Sequence, residues 1–143
     1  MGTRSLTHFM EDRGPGKKPQ AICTVYRQMD GYPTGMGAEL KEILQGSVVV
    51  NGYGSNTPEK AHNGMGCLAA TVIKNLKEGI GSIYVCRSGS KDCGEEYVYR
   101  ISAGPDGRVM LEVLFGYRRK KQLWFGLIDC FDPEACESMR KKS

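Results

Sequence analysis

Glu96-Tyr97-Val98-Tyr99-Arg100-Ile101-Ser102, Arg108-Val109-Met110-Leu111-Glu112-Val113-Leu114-Phe115 and Gln122-Leu123-Trp124-Phe125-Gly126-Leu127-Ile128 are three strand-like runs. Only Gly104-Pro105-Asp106-Gly107 and Gly116-Tyr117-Arg118-Arg119-Lys120-Lys121 separate them. Both connectors are turn chemistry and too short for a crossover, so the runs predict antiparallel neighbours. Ile80 to Cys86 reads as a fourth run of the same set, joined on through Ser88-Gly89-Ser90-Lys91-Asp92.

Working back from this block, Met65, Leu68, Ala69, Val72, Ile73 and Leu76 recur at the spacing of one helix face, with Asn63 placed to cap the start and Gly79 to end it. A shorter helix, with Leu40, Ile43 and Leu44 on one side, follows the glycine loop Thr34 to Gly37 and stops at Gly46. Gln20 to Met29 and Thr3 to Met10 predict two further strands, parted by Arg13-Gly14-Pro15-Gly16-Lys17-Lys18-Pro19, and Ser47 to Tyr53 leaves room for a short one. Asp132-Pro133-Glu134-Ala135-Cys136 opens a short C-terminal helix. Helices and strands do not alternate one for one. The expected class is therefore α+β: a mainly antiparallel sheet, two principal helices packed on it and a short C-terminal helix, in a single domain over 1–143 with a frayed basic tail at 137–143.

The 143 residues suffice for a real core, and 40% hydrophobic with 25% charged residues is a globular balance that excludes wholesale disorder and fibrous repeats. No apolar stretch approaches the ~20 residues of a membrane span. The polar start Met1 to His8 carries no secretory h-region, so a cytoplasmic protein without membrane contact is expected. Twenty Lys+Arg against sixteen Asp+Glu leave +4, a mild preference for anionic partners. The six cysteines lack the close pairs of a zinc site; Cys23 and Cys67 read as small buried hydrophobes, and Cys93 as the one thiol in a polar loop. With His8 and His62 the only histidines and no catalytic motif in view, no cofactor, no metal and no enzymatic activity are expected.

Two glycine loops echo each other. Thr34-Gly35-Met36-Gly37-Ala38-Glu39-Leu40 and Asn63-Gly64-Met65-Gly66-Cys67-Leu68 each open a helix, where unpaired N–H groups and the positive dipole end suit a phosphate and flanking glycines allow close approach. Gly35, Gly37, Gly64 and Gly66 serve equally well as turn and packing glycines. Tyr32 or Tyr53 would stack on a base, Arg27 would neutralise charge, and Asp30 would accept from a base amino group or ribose hydroxyl, or simply make its turn. A second anion surface is offered by Arg118, Arg119, Lys120 and Lys121 with Trp124 behind them, whose alternative is a solvated hairpin that discourages aggregation.

Tyr26-Arg27-Gln28-x-Asp30-Gly31-Tyr32-Pro33-x-Gly35-x-Gly37-x-x-Leu40, then Asn63-Gly64-Met65-Gly66-Cys67-Leu68-Ala69-Ala70 and, less specifically, Glu95 to Tyr99, resemble a family of small uncharacterised phage and bacterial proteins. The resemblance covers about half the chain and brings no activity with it. It implies a phage-borne accessory or counter-defence factor acting inside a host cell. The leading expectation is a non-enzymatic protein that sequesters a small phosphorylated nucleotide, such as a cyclic oligonucleotide or cyclic ADP-ribose-like signal, at Arg27, Asp30, Tyr32, Gly35, Gly37, Tyr53, Asn63, Gly64 and Gly66. A nucleic-acid-binding module and a protein inhibitor of a host enzyme are the alternatives, and a homo-oligomer with a site between subunits fits the same residues.

Overall fold

The computed structural model describes residues 2–140. The class is α+β, as expected. Eight strands and three helices run in the order β1 (Ser5–Glu11), β2 (Gln20–Arg27), α1 (Ala38–Leu44), β3 (Val48–Val50), β4 (Ala61–Asn63), α2 (Gly64–Leu76), β5 (Ile83–Cys86), β6 (Tyr97–Ala103), β7 (Val109–Phe115), β8 (Lys121–Leu127) and α3 (Pro133–Met139). One wide helical turn, Pro33–Gly37, leads into α1, and one tight turn, Ile128–Cys130, precedes α3.

The main sheet has the order β5-β2-β1-β6-β7-β8. The β6-β7-β8 meander is antiparallel, as its short connectors dictate. Two relationships differ from the sequence reading. β5 pairs with β2 rather than with its successor β6, because residues 87–96 cross the sheet instead of reversing at its edge. β6 lands beside β1 in parallel register, Ser5 opposite Tyr97 and Phe9 opposite Ile101. β4 was not expected; it pairs in parallel with β3, and Val49 N–H donates to Gly107 O at 2.7 Å, fixing this small sheet to the β6–β7 turn.

Side chains alternate across strands, so one face of the sheet turns Phe9, Val25, Tyr97, Tyr99, Ile101 and Val113 into the main core against α1 and α2. The periodic face of α2 meets them: Met65, Leu68, Ala69 and Val72 are buried, and Ile73 and Leu76 close the margin. A fully buried leucine or valine contributes roughly 1.5–3 kcal/mol, so this one stripe accounts for much of why α2 exists. Phe131 and Cys136 bring α3 onto the same core.

The opposite face carries Leu6, Val98 and Leu114 in one cross-strand row, covered by the crossover through Cys93. That crossover is pinned where Gly89 N–H donates to Thr24 Oγ1 at 2.8 Å, the hydroxyl that also meets His8 Nδ1. On the helix side of β1, the hydroxyls of Ser5 and Thr7 are buried without a hydrogen-bond partner among the described residues.

Of the residues expected in the basic tail, Glu137–Met139 belong to α3, and Arg140 donates to Tyr97 Oη at 2.8 Å. The remainder of the expected basic tail, residues 141–143, lies outside the described residues. Among the described residues no helix is long and apolar enough to cross a membrane.

Candidate functional site

The two glycine loops lie at opposite ends of the helix pair. Glu39 in the first turn of α1 and Asn75-Leu76 at the end of α2 line one hollow, whereas Lys60, just before α2's approach strand, donates to Gln45 O at the end of α1. The helices therefore run in opposite senses. The length of α2, roughly 20 Å for its turns, separates the loops, too far for one small phosphorylated ligand to rest on both.

Around the first loop the candidate groups are engaged within the chain. Gly35 N–H donates to Tyr32 O and Met36 N–H to Asp30 O, each at 2.8 Å. A Cβ on Gly35 would stand 2.3 Å from Asp30 O, and one on Gly37 would stand 3.0 Å from the Phe131 ring; glycine there answers packing. Asp30 is in the left-handed region at φ 60 and accepts from Tyr32 Oη at 3.1 Å, which with the carboxylate's charge pushes the tyrosine hydroxyl up. Arg27, nearly buried, pairs with Glu39 and donates to Met29 O at 2.7 Å. Its charge is neutralised before any ligand arrives.

The start of α2 is built differently. Asn63 does not cap the helix as its position suggests; its Oδ1 accepts from Gly52 N–H at 2.8 Å and so holds the 51–58 loop beside the helix. The early N–H groups are thereby left without that side-chain acceptor. Gly64 has φ +82, a conformation that favours glycine. Gly66 is helical, lacks a positive φ, and has nothing within 4 Å of where a Cβ would sit. Beside it is a hollow of about 450 Å³, lined by Val50, Tyr53, Thr57, Ala61, Asn63 and Cys67. A second hollow of similar size, about 450 Å³, continues over residues 50–58. Tyr53 stands on the rim, 79% exposed.

His62 beneath the site is buried against Ser47 Oγ at 3.1 Å, and burial followed by the charge of Lys60 pulls its pKa down, so it stays neutral near pH 7. Cys67, expected to be buried, is exposed because it falls on the outer side of the helix between Met65 and Leu68. Of the lining residues, Val50, Thr57, Ala61 and Cys67 were not among the expected site residues: Cys67 read as a small buried hydrophobe, and no local pattern marks the other three as ligand contacts. Among the described residues no three His, Cys, Asp or Glu side chains converge on a metal position.

The basic hairpin is partly spent. Lys120 pairs with Glu95 at 3.4 Å and also donates to Gly116 O. Burial pushes the Glu95 carboxyl up, but the N–H groups of its own residue and of Cys93, together with Lys120, outweigh that and hold it below the usual range. Trp124 turns inward to Phe131, ring centres 5.0 Å apart, and is a core residue rather than a stacking platform. Arg118, Arg119 and Lys121 remain exposed, and the aromatic that reaches solvent on this strand is Phe125. No protein family, curated protein or solved structure matches the chain.

Proposed function

We propose that the protein is a non-enzymatic binding protein that holds a small phosphorylated ligand bearing a nucleobase at the start of α2. The phosphate rests on the first-turn N–H groups beside Gly64 and Gly66, the base occupies the apolar hollow under Tyr53, and Thr57 and Asn63 offer polar edges to it. In the setting implied by the family resemblance, such binding serves a phage-borne factor that withdraws a nucleotide signal, a cyclic one included, in the host cytoplasm.

One observation carries the reading. A glycine within a helix costs up to about 1 kcal/mol relative to alanine, and among the glycines of helical segments, Gly35, Gly37, Gly64 and Gly66, the last has neither a positive φ nor a crowded neighbour. Close approach of a group from outside accounts for it. The first glycine loop takes no part, since its own donors and Arg27 are satisfied internally.

The test is a thermal-shift screen against mono-, di- and cyclic nucleotides, repeated with Gly66→Ala and Gly66→Val. A ligand at a hundred times its dissociation constant adds about 2.7 kcal/mol, or a rise of roughly 5–10 °C at this chain length. The expected result is a shift for one nucleotide class that both variants abolish although each folds. A panel without any shift, or a shift that Gly66→Val leaves intact, overturns the proposal.

A further inference from the structure

The helices cover one face of the sheet only, and on the other the crossover 87–96 shields the end that holds Leu6 and Val98. The remaining end of that face is a hollow of about 620 Å³, with Lys18 on one wall, Phe125 on the other, and Met10, Arg100, Ser102 and Glu112 along its floor. We propose that this open face binds single-stranded nucleic acid.

The sheet register makes the arrangement. Arg100 lies opposite Glu112, and Glu112 opposite Phe125, so the three stand in one row across β6, β7 and β8. At the strand spacing of about 4.8 Å, the backbones of Arg100 and Phe125 are roughly 10 Å apart. Phe125 is 58% exposed, a large apolar ring with no place in the core. Arg100 gives one nitrogen to Glu112 at 3.1 Å, and its side chain remains about half exposed. An exposed aromatic flanked by cations on a sheet face is the surface on which unpaired bases stack while the backbone finds charge.

Charge supports the same occupant. Arg13, Lys17 and Lys18 lie on the connection at one end of the hollow, after Glu11 and Asp12 in the chain; Lys121, opposite Phe115, belongs to the helix side of the sheet and adds nothing here. Arg100 and Glu112 neutralise each other, so the cation lining the hollow that has no carboxylate partner among the described residues is Lys18. A duplex keeps its bases paired and offers nothing to Phe125, which selects the single strand. This surface is independent of the α2 hollow, on the other side of the sheet.

Fluorescence anisotropy with labelled oligo-dT and oligo-U of about twelve nucleotides, against a duplex of equal length, tests it. Single strands are expected to bind at about 50 mM salt with a log–log salt slope near −2 to −3, the value for three or four phosphates. Phe125→Ala should weaken binding about tenfold with an unchanged melting temperature, since the ring packs on nothing in the core. Lys18→Gln should weaken it a few-fold and reduce the slope by about 0.7. Gly66→Val should leave it unchanged. Absence of binding at low salt, equal affinity for the duplex, an unaffected Phe125→Ala, or equal competition by a polyglutamate peptide each overturns the assignment, and loss confined to Arg118→Glu with Arg119→Glu moves the site to the hairpin and overturns it as well.

Discussion

Glu137 on α3 accepts both the backbone N–H and the hydroxyl of Thr34, at 3.1 and 2.8 Å, across 103 residues of sequence. The wide turn that opens the first helix thus has a carboxylate from its own chain where an external anion would sit, and the same contact fastens the C-terminal helix to the core. Glu137→Ala is expected to lower stability by about 1 kcal/mol, a fall of roughly 3 °C, with Glu137→Gln retaining part of it. Calorimetry showing no change for Glu137→Ala would mean the contact is geometrically present but energetically idle.

The two glycine loops should answer alanine oppositely. Gly35→Ala drives a methyl to 2.3 Å from a carbonyl oxygen and should cost about 1–3 kcal/mol as overpacking. Gly66→Ala enters open space on a helix and should add about 0.5–1 kcal/mol. Urea denaturation of the unliganded protein reads both; a stabilised Gly35→Ala or a destabilised Gly66→Ala would contradict the packing described.

Thr7 is fully buried in the centre of the sheet and its hydroxyl finds no partner among the described residues. Valine has the same shape without the polar atom. Thr7→Val should therefore raise stability by about 1 kcal/mol, a gain of roughly 3 °C. A melting temperature that falls instead would indicate that the hydroxyl is bonded, through an internal water for instance.

Acid should unfold the protein in two stages. Burial, then the charge of Arg100, lowers the pKa of His8, with Glu95 pulling weakly the other way; burial and Lys60 lower that of His62. A histidine depressed in the folded state binds its proton more readily when unfolded, so this stability is complete above the unfolded value near 6.5 and is lost as pH falls below it. Glu95 is also depressed, but as an acid: its contribution is present above the unfolded carboxyl value near 4.3 and disappears as pH falls through its lower folded value. Chemical denaturation from about pH 8 to pH 3 should show both stages. His8→Gln should flatten the upper one, and a stability flat between pH 7 and 5 would refute the histidine assignment.

Thiol reactivity should sort by exposure. Cys67 and Cys130 are exposed, whereas Cys136 is buried in the core and pushed up to about 12 by burial and by the nearby Glu137 and Asp132 charges. A chromogenic disulfide reagent at about pH 8 should titrate Cys67 and Cys130 quickly and reach Cys136 only on unfolding. Fast modification of Cys136 in the native protein would place α3 off the core.

What was legible in the sequence is what local chemistry determines. The Met65 to Leu76 period gave α2, and the turn residues around 104–107 and 116–121 gave the meander, because each depends on neighbours in the chain. The parallel meeting of β1 with β6, and β5 at the edge beside β2, depend on where the 87–96 crossover runs, for which no short-range signal exists. The same division holds at the candidate site. Gly64, Gly66, Asn63 and Tyr53 stood out in the sequence as a glycine-rich helix start with a nearby aromatic; Asn63 and Tyr53 line one hollow, and Gly64 and Gly66 belong to the helix that starts beside it. That the matching loop at Gly35 is filled by Tyr32, Asp30, Phe131 and Glu137 follows from tertiary contacts, one of them 103 residues distant. Cys67 appeared apolar in a linear pattern and is turned outward by the helix phase.

The β1–β6 seam also makes the molecule divisible. On one side lie β5, β2 and β1 with α1 and α2, all from residues up to 87; on the other lie β6, β7, β8 and α3, all from residues after 96. Besides side-chain contacts and the backbone bonds that tie β3 to the 104–108 turn, the two portions meet along a parallel ladder of five residue pairs. A chain cut in the exposed stretch around Lys91 and supplied as two fragments should reassemble by zipping that ladder, so the seam is the natural place to split the protein into complementing halves that report each other's presence.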